Sequence, residues 1–161
     1  MIARLLLLVC LSLPGLALAD PAFIYLVRHG EKEAGKDPAL TAQGQVRARN
    51  IAALLRQAGI TAVFSSQTLR TMQTAQPMAD AARVAVQPYD AAKPQDLVAR
   101  VTALDGGAVL VVGHSDTMAA LVTMLGGAPG APIGDMEYAR VYQLSRGGDG
   151  KRVTVVLSSL P

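Results

Sequence analysis

The chain has 161 residues, a formal net charge of +3, and 51% hydrophobic residues. This length is typical of a single domain, and the apolar fraction is sufficient to form a core. No run of Lys or Arg marks a nucleic-acid-binding face, so nucleic acid is not an expected partner.

The first 19 residues have the pattern of a secretory signal peptide. Arg4 precedes an apolar run over residues 5–13, and small residues at 17 and 19 form a cleavage signal. The run is too short to span a bilayer. We predict that residues 1–19 are removed and that residues 20–161 form one periplasmic or secreted domain. We expect no stable membrane insertion after removal.

The next stretch carries the strongest functional signal. Residues 23–27 are apolar and typical of a buried strand, and they stop abruptly at Arg28-His29-Gly30. A guanidinium and an imidazole are costly to bury in the apolar core of a sheet. Open α/β sheets place their ligands at the carboxyl ends of strands. Our hypothesis is that His29 is a nucleophile and that Arg28 binds a phosphate.

A charged loop over residues 31–38 leads into a predicted amphipathic helix. Thr41 can cap this helix, and the pattern continues to Ala58 before Gly59 ends it. The side chains predicted to face the core are Ile51, Leu54, Leu55 and Ala58. Those predicted to remain in solvent are Arg47, Arg49 and Arg56.

A second strand over residues 60–64 ends at two hydroxyls, Ser65-Ser66. The helix that follows begins at residue 68 or 69 and runs to about 82, with a kink or break expected at Pro77. Its N-terminus offers free N–H groups to an anion, and Arg70 adds a bidentate fork. The hydroxyls of Ser66 and Thr68 are equally suited to capping the helix.

The rest of the chain alternates between strands and helices. The predicted elements are a strand at 84–86, a helix at 95–104, a strand at 108–112, a helix at 117–125, and closing strands at 138–144 and 153–157. The strand at 108–112 also ends at a histidine, in Gly113-His114-Ser115-Asp116. Such alternation predicts an α/β fold: a single-domain three-layer α/β/α sandwich with a mostly parallel sheet and no cap insertion. We expect the two strands that end in histidine to be neighbours.

Two arginines, two histidines and a helix terminus suit phosphoryl transfer, which needs positive charge around three oxygens and an in-line nucleophile. The spacing of the histidines matches no metal motif, and no Gly-rich phosphate loop occurs. No serine-hydrolase elbow is present. We therefore predict neither a metal nor another cofactor.

Three motifs in this order resemble the histidine phosphatase superfamily, also called phosphoglycerate-mutase-like. They are Leu26-Val27-Arg28-His29-Gly30-Glu31, Ser65-Ser66 through Arg70 to Gln73-Thr74-Ala75, and Val112-Gly113-His114-Ser115. Only 84 residues separate the two histidines, so the chain is similar to short, open, exported members of the family.

The resemblance implies a mechanism and a set of site residues. His29 would carry the phosphoryl group as a covalent intermediate, which water then hydrolyses. The groups around the phosphoryl oxygens would be Arg28, Arg70 and His114, with Ser65 and Ser115 beside them. The family usually adds a carboxylic acid that protonates the leaving oxygen, and here Asp116, Asp90, Glu31 or no acid at all are open alternatives.

The expected function is a phosphatase acting on phosphate monoesters or phosphohistidine, with a small phosphorylated molecule or a phosphoprotein as partner. Two alternatives remain open. One is a non-catalytic anion-binding protein, because no general acid is evident. The other is a phosphomutase, although export argues against a substrate found in the cytosol.

Overall fold

The structure, a computed structural model, describes residues 20–159, and the predicted signal peptide lies outside this range. In the described part of the chain, no helix is both long and apolar enough to cross a membrane. The elements are β1 (Phe23–Arg28), α1 (Ala42–Leu54), β2 (Ile60–Ser66), α2 (Leu69–Ala82), β3 (Val86–Tyr89), α3 (Pro94–Thr102), β4 (Ala108–Gly113), α4 (Ser115–Met124), β5 (Arg140–Arg146) and β6 (Arg152–Ser158).

These strands form one six-stranded sheet with the order β3-β2-β4-β1-β5-β6. The first four strands run parallel, whereas β5 pairs antiparallel with β1 and β6 pairs antiparallel with β5. The expected pairing of the two histidine strands is confirmed, because β1 lies beside β4 with Arg28 opposite Gly113.

Alternate residues of the central strands face two different helical layers. Ile24 and Leu26 of β1 pack in a cluster with residues of α3 and α4. Tyr25 and Val27 face the other way, into a cluster with residues of α1 and α2. Both faces of the parallel strands are therefore covered, as such sheets require. The predicted three-layer α/β/α sandwich is confirmed.

Several element boundaries differ from the predicted ones. Helix α1 ends at Leu54 rather than Ala58, and the Leu54 side chain is 44% exposed instead of facing the core. Strand β3 lies at 86–89 rather than 84–86 and includes Pro88, which is tolerated because β3 is an edge strand. Pro77 lies within the continuous helix α2. Helix α4 begins at Ser115, directly after His114.

The loop that follows His29 packs directly on α1 through two glycines. A Cβ atom added at Gly30 would lie 2.8 Å from the carbonyl oxygen of Gly44. One added at Gly44 would collide with the carbonyl oxygen of Glu31. Both obstacles are backbone atoms, which cannot rotate away as a side chain can. This backbone contact fixes the loop after His29 against the first helix.

We expect Gly44→Ala to destabilise the protein by about 2 kcal/mol, because overpacking against backbone outweighs the better helix propensity of alanine. Urea denaturation measures this loss. The matched control is Gly148→Ala, where an added Cβ meets no atom within 4 Å. It should change stability by less than about 0.5 kcal/mol. Equal stability of the two variants would contradict the packing argument.

Candidate active site

The parallel pairing of β1 and β4 brings the two histidines together at the carboxyl end of the sheet. The backbone N–H of His29 donates to the carbonyl of Gly113 at 2.9 Å, which extends the strand pairing by one residue. The imidazole rings of His29 and His114 meet edge to face, with centroids 5.4 Å apart. The chain has only these two histidines, and the fold places both in one site.

His29 is buried and held in one orientation by its own neighbour. Its Nδ1 lies 2.7 Å from the carbonyl oxygen of Gly30, so Nδ1 carries the proton and donates it. Nε2 then keeps its lone pair. Burial, together with the positive charges of Arg70 and Arg28, lowers the pKa of His29 to about 4 against the opposing effect of the hydrogen bond to Gly30. The ring is therefore neutral at physiological pH.

His114 is oriented from both ring nitrogens. Its Nδ1 lies 3.4 Å from Nη2 of Arg70, which can only donate, and its Nε2 lies 2.9 Å from Oγ of Ser66. This pattern assigns the proton to Nε2, which donates to Ser66. Ser66 in turn donates to Oγ1 of Thr71 at 3.0 Å. Burial, followed by Arg70, lowers the pKa of His114, and Asp116 partly offsets this effect.

Arg28 is held by the loop that precedes β5. Its Nη1 donates to the carbonyl oxygens of Gly134, Asp135 and Glu137 at 2.9, 2.8 and 3.1 Å. Its guanidinium carbon also lies 4.2 Å from the ring centroid of Tyr138, a cation–π contact. These contacts hold the charge of Arg28 in place beside His29.

Arg70 lies between His114 and Asp37. Its Nη1 is 3.6 Å from Oδ1 of Asp37, and the same carboxylate oxygen accepts the backbone N–H of Leu69 at 3.0 Å. Asp37 thus caps α2 from a distant loop, since Thr68 makes no side-chain capping bond. The N-terminal amide predicted to be free for an anion is bound by a carboxylate of the same chain.

Both arginines retain a buried donor. The Nε atoms of Arg28 and Arg70 have no hydrogen-bond partner among residues 20–159. A buried charged donor left unpaired costs about 1–3 kcal/mol or more. An oxyanion between the arginines would relieve that cost.

Glu31 is tied to Arg47 rather than directed at the histidines. Both carboxylate oxygens of Glu31 accept from Nε of Arg47 at 2.9 Å, and Nη2 donates to Oε1 at 2.6 Å. Although burial opposes it, this pairing lowers the pKa of Glu31, which stays ionised. The arrangement does not suit a general acid. The prediction that Arg47 stays in solvent is wrong, because Arg47 is 7% exposed.

The two other candidate acids lie in different surroundings. Asp116 is exposed in the first turn of α4, and its negative charge raises the pKa of His114. Asp90 follows edge strand β3 and bonds locally, accepting the N–H of Ala92 at 2.9 Å and lying 4.0 Å from Nζ of Lys93. Strand β3 is three positions from β1, about 14 Å at the usual strand spacing. Of the two, the structure brings Asp116 close to the histidine pair.

The two predicted serine ligands occupy different positions. The side chain of Ser65 is fully buried, and its Oγ donates to the carbonyl of Ser66 at 2.9 Å, away from both rings. Its neighbour Ser66 is the residue that contacts His114. Ser115 is the first residue of α4 and is half-buried beside His114.

Residues of α2 and the loop before β5 support the site without having been singled out as site residues. Thr74 accepts the backbone N–H of Gly30 at 3.0 Å, and Gln73 accepts that of Leu40 at 2.8 Å. Both belong to the third part of the serine–arginine motif, a signal available in the sequence. Tyr138, whose ring centroid is 6.1 Å from that of His29, carried no such signal.

The chain matches the family model of the histidine phosphatase superfamily (branch 1) over residues 24–94. Two curated relatives, each named "Probable phosphoglycerate mutase GpmB", come from Enterobacter sp. (strain 638) and Proteus mirabilis (strain HI4320). They are 42% identical over 66 residues and 43% identical over 68 residues. These matches cover 36% and 37% of this chain but only 31% and 32% of the relatives, so the chain matches about a third of their length.

Solved structures match over most of the chain. A mycobacterial glucosyl-3-phosphoglycerate phosphatase with inorganic phosphate has a TM-score of 0.68, with 18% identity over 86% of this chain and 98% of that one. The protein histidine phosphatase SixA with tungstate has a TM-score of 0.61, with 20% identity over 85% and 97%. Phosphoserine phosphatase from Entamoeba histolytica with 3-phosphoglyceric acid has a TM-score of 0.62, with 15% identity over 86% of this chain and 97% of that one. At such identities the likeness shows the fold alone.

The fold brings two histidines and two arginines together at the carboxyl end of a parallel sheet. The family-model match over residues 24–94 and the relatives confirm the predicted resemblance to the histidine phosphatase superfamily. Within residues 20–159, no group of three or more His, Cys, Asp or Glu side chains is arranged to hold a metal ion.

The surroundings of His29 give a testable titration. We expect its ring to titrate near pH 4, below the ordinary value of 6.5. Because the unfolded chain then binds the proton first, stability should fall as the pH drops from 6.5 to about 4, by on the order of 3 kcal/mol.

The chemical shifts of the histidine ring protons in an NMR pH titration report the pKa of His29. A His114→Asn variant retains only His29 and therefore assigns its signal. Urea denaturation at several pH values measures the stability change, and a His29→Gln variant should lack most of its slope between pH 6.5 and 4. A His29 midpoint at or above pH 6 would contradict the burial argument.

Proposed function

We propose that this protein is a phosphatase that hydrolyses phosphate monoesters or phosphohistidine through a phosphohistidine intermediate on His29. The observation that carries the proposal is the state of the His29 ring. It is neutral, and its Nδ1 donates to the Gly30 carbonyl, so Nε2 keeps its lone pair, while the charges of Arg70 and Arg28 act on the same ring. A fixed neutral imidazole with positive charge nearby is what attack on a phosphoryl group requires.

In the first step, Nε2 of His29 attacks phosphorus and a P–N bond forms as the bond to the leaving oxygen or nitrogen breaks. The guanidinium groups of Arg28 and Arg70 stabilise the charge on the three phosphoryl oxygens. The buried Nε atoms of both arginines, which have no partner among residues 20–159, can donate hydrogen bonds to these oxygens. His114 keeps Arg70 in place and borders the same oxygens.

In the second step, water attacks phosphorus from the side opposite Nε2. The P–N bond breaks, inorganic phosphate forms, and the electron pair returns to Nε2. Throughout both steps the hydrogen bond from Nδ1 to Gly30 keeps the nucleophile aimed at phosphorus. Asp116 is our candidate for protonating the leaving group and for taking a proton from the attacking water. Its position at the start of α4, where its charge acts on His114, supports this role.

A phosphomutase is the second candidate, favoured by the name of the curated relatives. It shares the first step but returns the phosphoryl group to another hydroxyl of the same molecule. We also propose, from residues 1–19, that the protein is exported. Export favours the phosphatase, because the substrate of a phosphomutase is found in the cytosol. A product assay with 3-phosphoglycerate separates the two reactions, because a mutase yields 2-phosphoglycerate and a phosphatase yields inorganic phosphate.

His29→Ala should lower kcat/KM for p-nitrophenyl phosphate by at least about a thousandfold, because the covalent route is lost. Rapid quenching with a 32P-labelled ester should trap an acid-labile, base-stable phosphoprotein in the wild type and none in the variant. The matched control is Arg56→Gln, an exposed position after α1, which should retain normal turnover. Normal turnover by His29→Ala would refute the mechanism. Tight vanadate binding without turnover by the wild type would favour the non-catalytic alternative.

The assignment of the acid is tested with leaving groups of different quality. We expect Asp116→Asn to lower kcat for an alkyl phosphate by about a hundredfold, while p-nitrophenyl phosphate, which needs no proton, changes little. Asp90→Asn serves as the comparison, because Asp90 bonds locally at the sheet edge. A larger effect of Asp90→Asn on the alkyl phosphate would transfer the role to Asp90. If neither substitution matters, the protein works without a carboxylic acid.

A further inference from the structure

The charges at the site provide for one phosphoryl group and no second anion. The positive charges that act on the pKa values of both His29 and His114 are those of Arg28 and Arg70. Two guanidinium groups balance the two negative charges of a bound phosphate monoester. A second negatively charged group on the substrate would need another cation at the rim of the pocket, the solvent-exposed border around these two arginines.

On the α2 side, the group at the rim is a carboxylate. Oδ1 of Asp37 lies 3.6 Å from Nη1 of Arg70, and the side chain is 56% exposed, so its negative charge faces solvent beside the pocket. The bond from the backbone N–H of Leu69 fixes this position at 3.0 Å. A leaving group that extends past Arg70 therefore meets Asp37.

The other borders of the pocket add further negative potential. Asp116 is exposed two residues after His114, and its charge acts on that ring. Near Arg28, the negative ends of three carbonyl dipoles, those of Gly134, Asp135 and Glu137, are directed at the guanidinium. The rim therefore carries carboxylates and carbonyls around two central cations.

Other basic side chains close to the site in sequence or space are engaged elsewhere. Arg47 is paired with Glu31, and Arg140 with Glu137, each at 2.6 Å. Lys32 and Lys36 are exposed on the loop that carries Asp37. Within the described residues, no salt bridge fixes either lysine in a position toward the pocket. Among the described residues, Arg28 and Arg70 are therefore the cations that the fold holds in place beside the two histidines.

We propose that the site selects phosphorylated substrates whose leaving group carries no negative charge, and that Asp37 is the residue that determines this preference. The proposal rests on the proposed phosphatase function and narrows its substrate class. Esters and phosphoramidates of neutral or cationic groups are favoured over phosphorylated carboxylic acids and bisphosphates. The penalty comes from like-charge repulsion across a few ångströms of solvent-exposed rim, so salt should weaken it.

Phenyl phosphate and 4-carboxyphenyl phosphate form a matched pair that differs by one carboxylate. The test compares kcat/KM of the wild type for the two esters. It also compares their Kd values, obtained by calorimetry on a His29→Asn protein that cannot form the phosphohistidine intermediate. We expect phenyl phosphate to be preferred about tenfold in both measurements at low salt. Raising the salt to 0.5 M should reduce that ratio to about threefold or less.

The decisive variant is Asp37→Asn. Its side-chain oxygen can still accept the Leu69 N–H, so the cap on α2 is kept while the charge is lost. The preference, taken as the ratio of the two esters, should shrink by about three- to tenfold. This ratio cancels any effect of the variant on Arg70 and on the phosphoryl group that both esters share. The control is Asp80→Asn on the same helix, where Asp80 accepts from Gln76 at 2.7 Å and faces no residue of the pocket. It should leave the ratio unchanged.

Equal binding of the two esters, a preference for the carboxylated one, or an unchanged preference in Asp37→Asn would each overturn the proposal. The salt dependence of the wild type tests it even if Asp37→Asn folds poorly. Failure of the proposed function has a different signature. In that case neither ester turns over and no phosphoprotein is trapped, while the ratio of Kd values still reports the charge selectivity of the pocket.

Discussion

The pairing of β1 with β4 is the constraint on which the site depends. It places Arg28 opposite Gly113, and the hydrogen bond from His29 to Gly113 continues the register to the last residue before the chain leaves the sheet. Both strands are buried on two faces, so a shift by one residue would turn every side chain to the wrong layer. The distance between the two histidine rings is therefore set by the packing of the whole sheet.

Helix α2 fixes the loops around that strand pair. Thr74 holds the backbone of Gly30, Gln73 holds that of Leu40, and Asp37 reaches back to the first turn of the helix. Each bond joins segments more than 30 residues apart in sequence. The segment that carries His29 is tied to the same helix that carries Arg70, so one helix positions both residues.

The sequence predicted the parts that depend on periodicity and on strand ends. Buried runs ending at His29 and His114 indicated the sheet, the neighbouring strands and the edge where the site lies. It could not predict partnerships between distant side chains. Arg47 looked like a surface charge because helical spacing does not reveal Glu31 across the loop. Ser65 and Ser66 were indistinguishable until the pleat directed only the second toward His114. Asp37 and Tyr138 lie in irregular segments, where no repeating pattern assigns a role.

The hydrogen bond from Nδ1 of His29 to the Gly30 carbonyl has one more consequence. The hydrogen bond that anchors the ring is made by Nδ1, not by the Nε2 atom proposed to attack phosphorus, and its acceptor belongs to the adjacent residue. Adding a substituent to Nε2 would leave that anchor intact, so the free ring and the substituted ring share a single pose. A ring that keeps one orientation needs no free volume in which to rotate. The burial of His29, which is only 3% exposed, is therefore compatible with both forms of the ring.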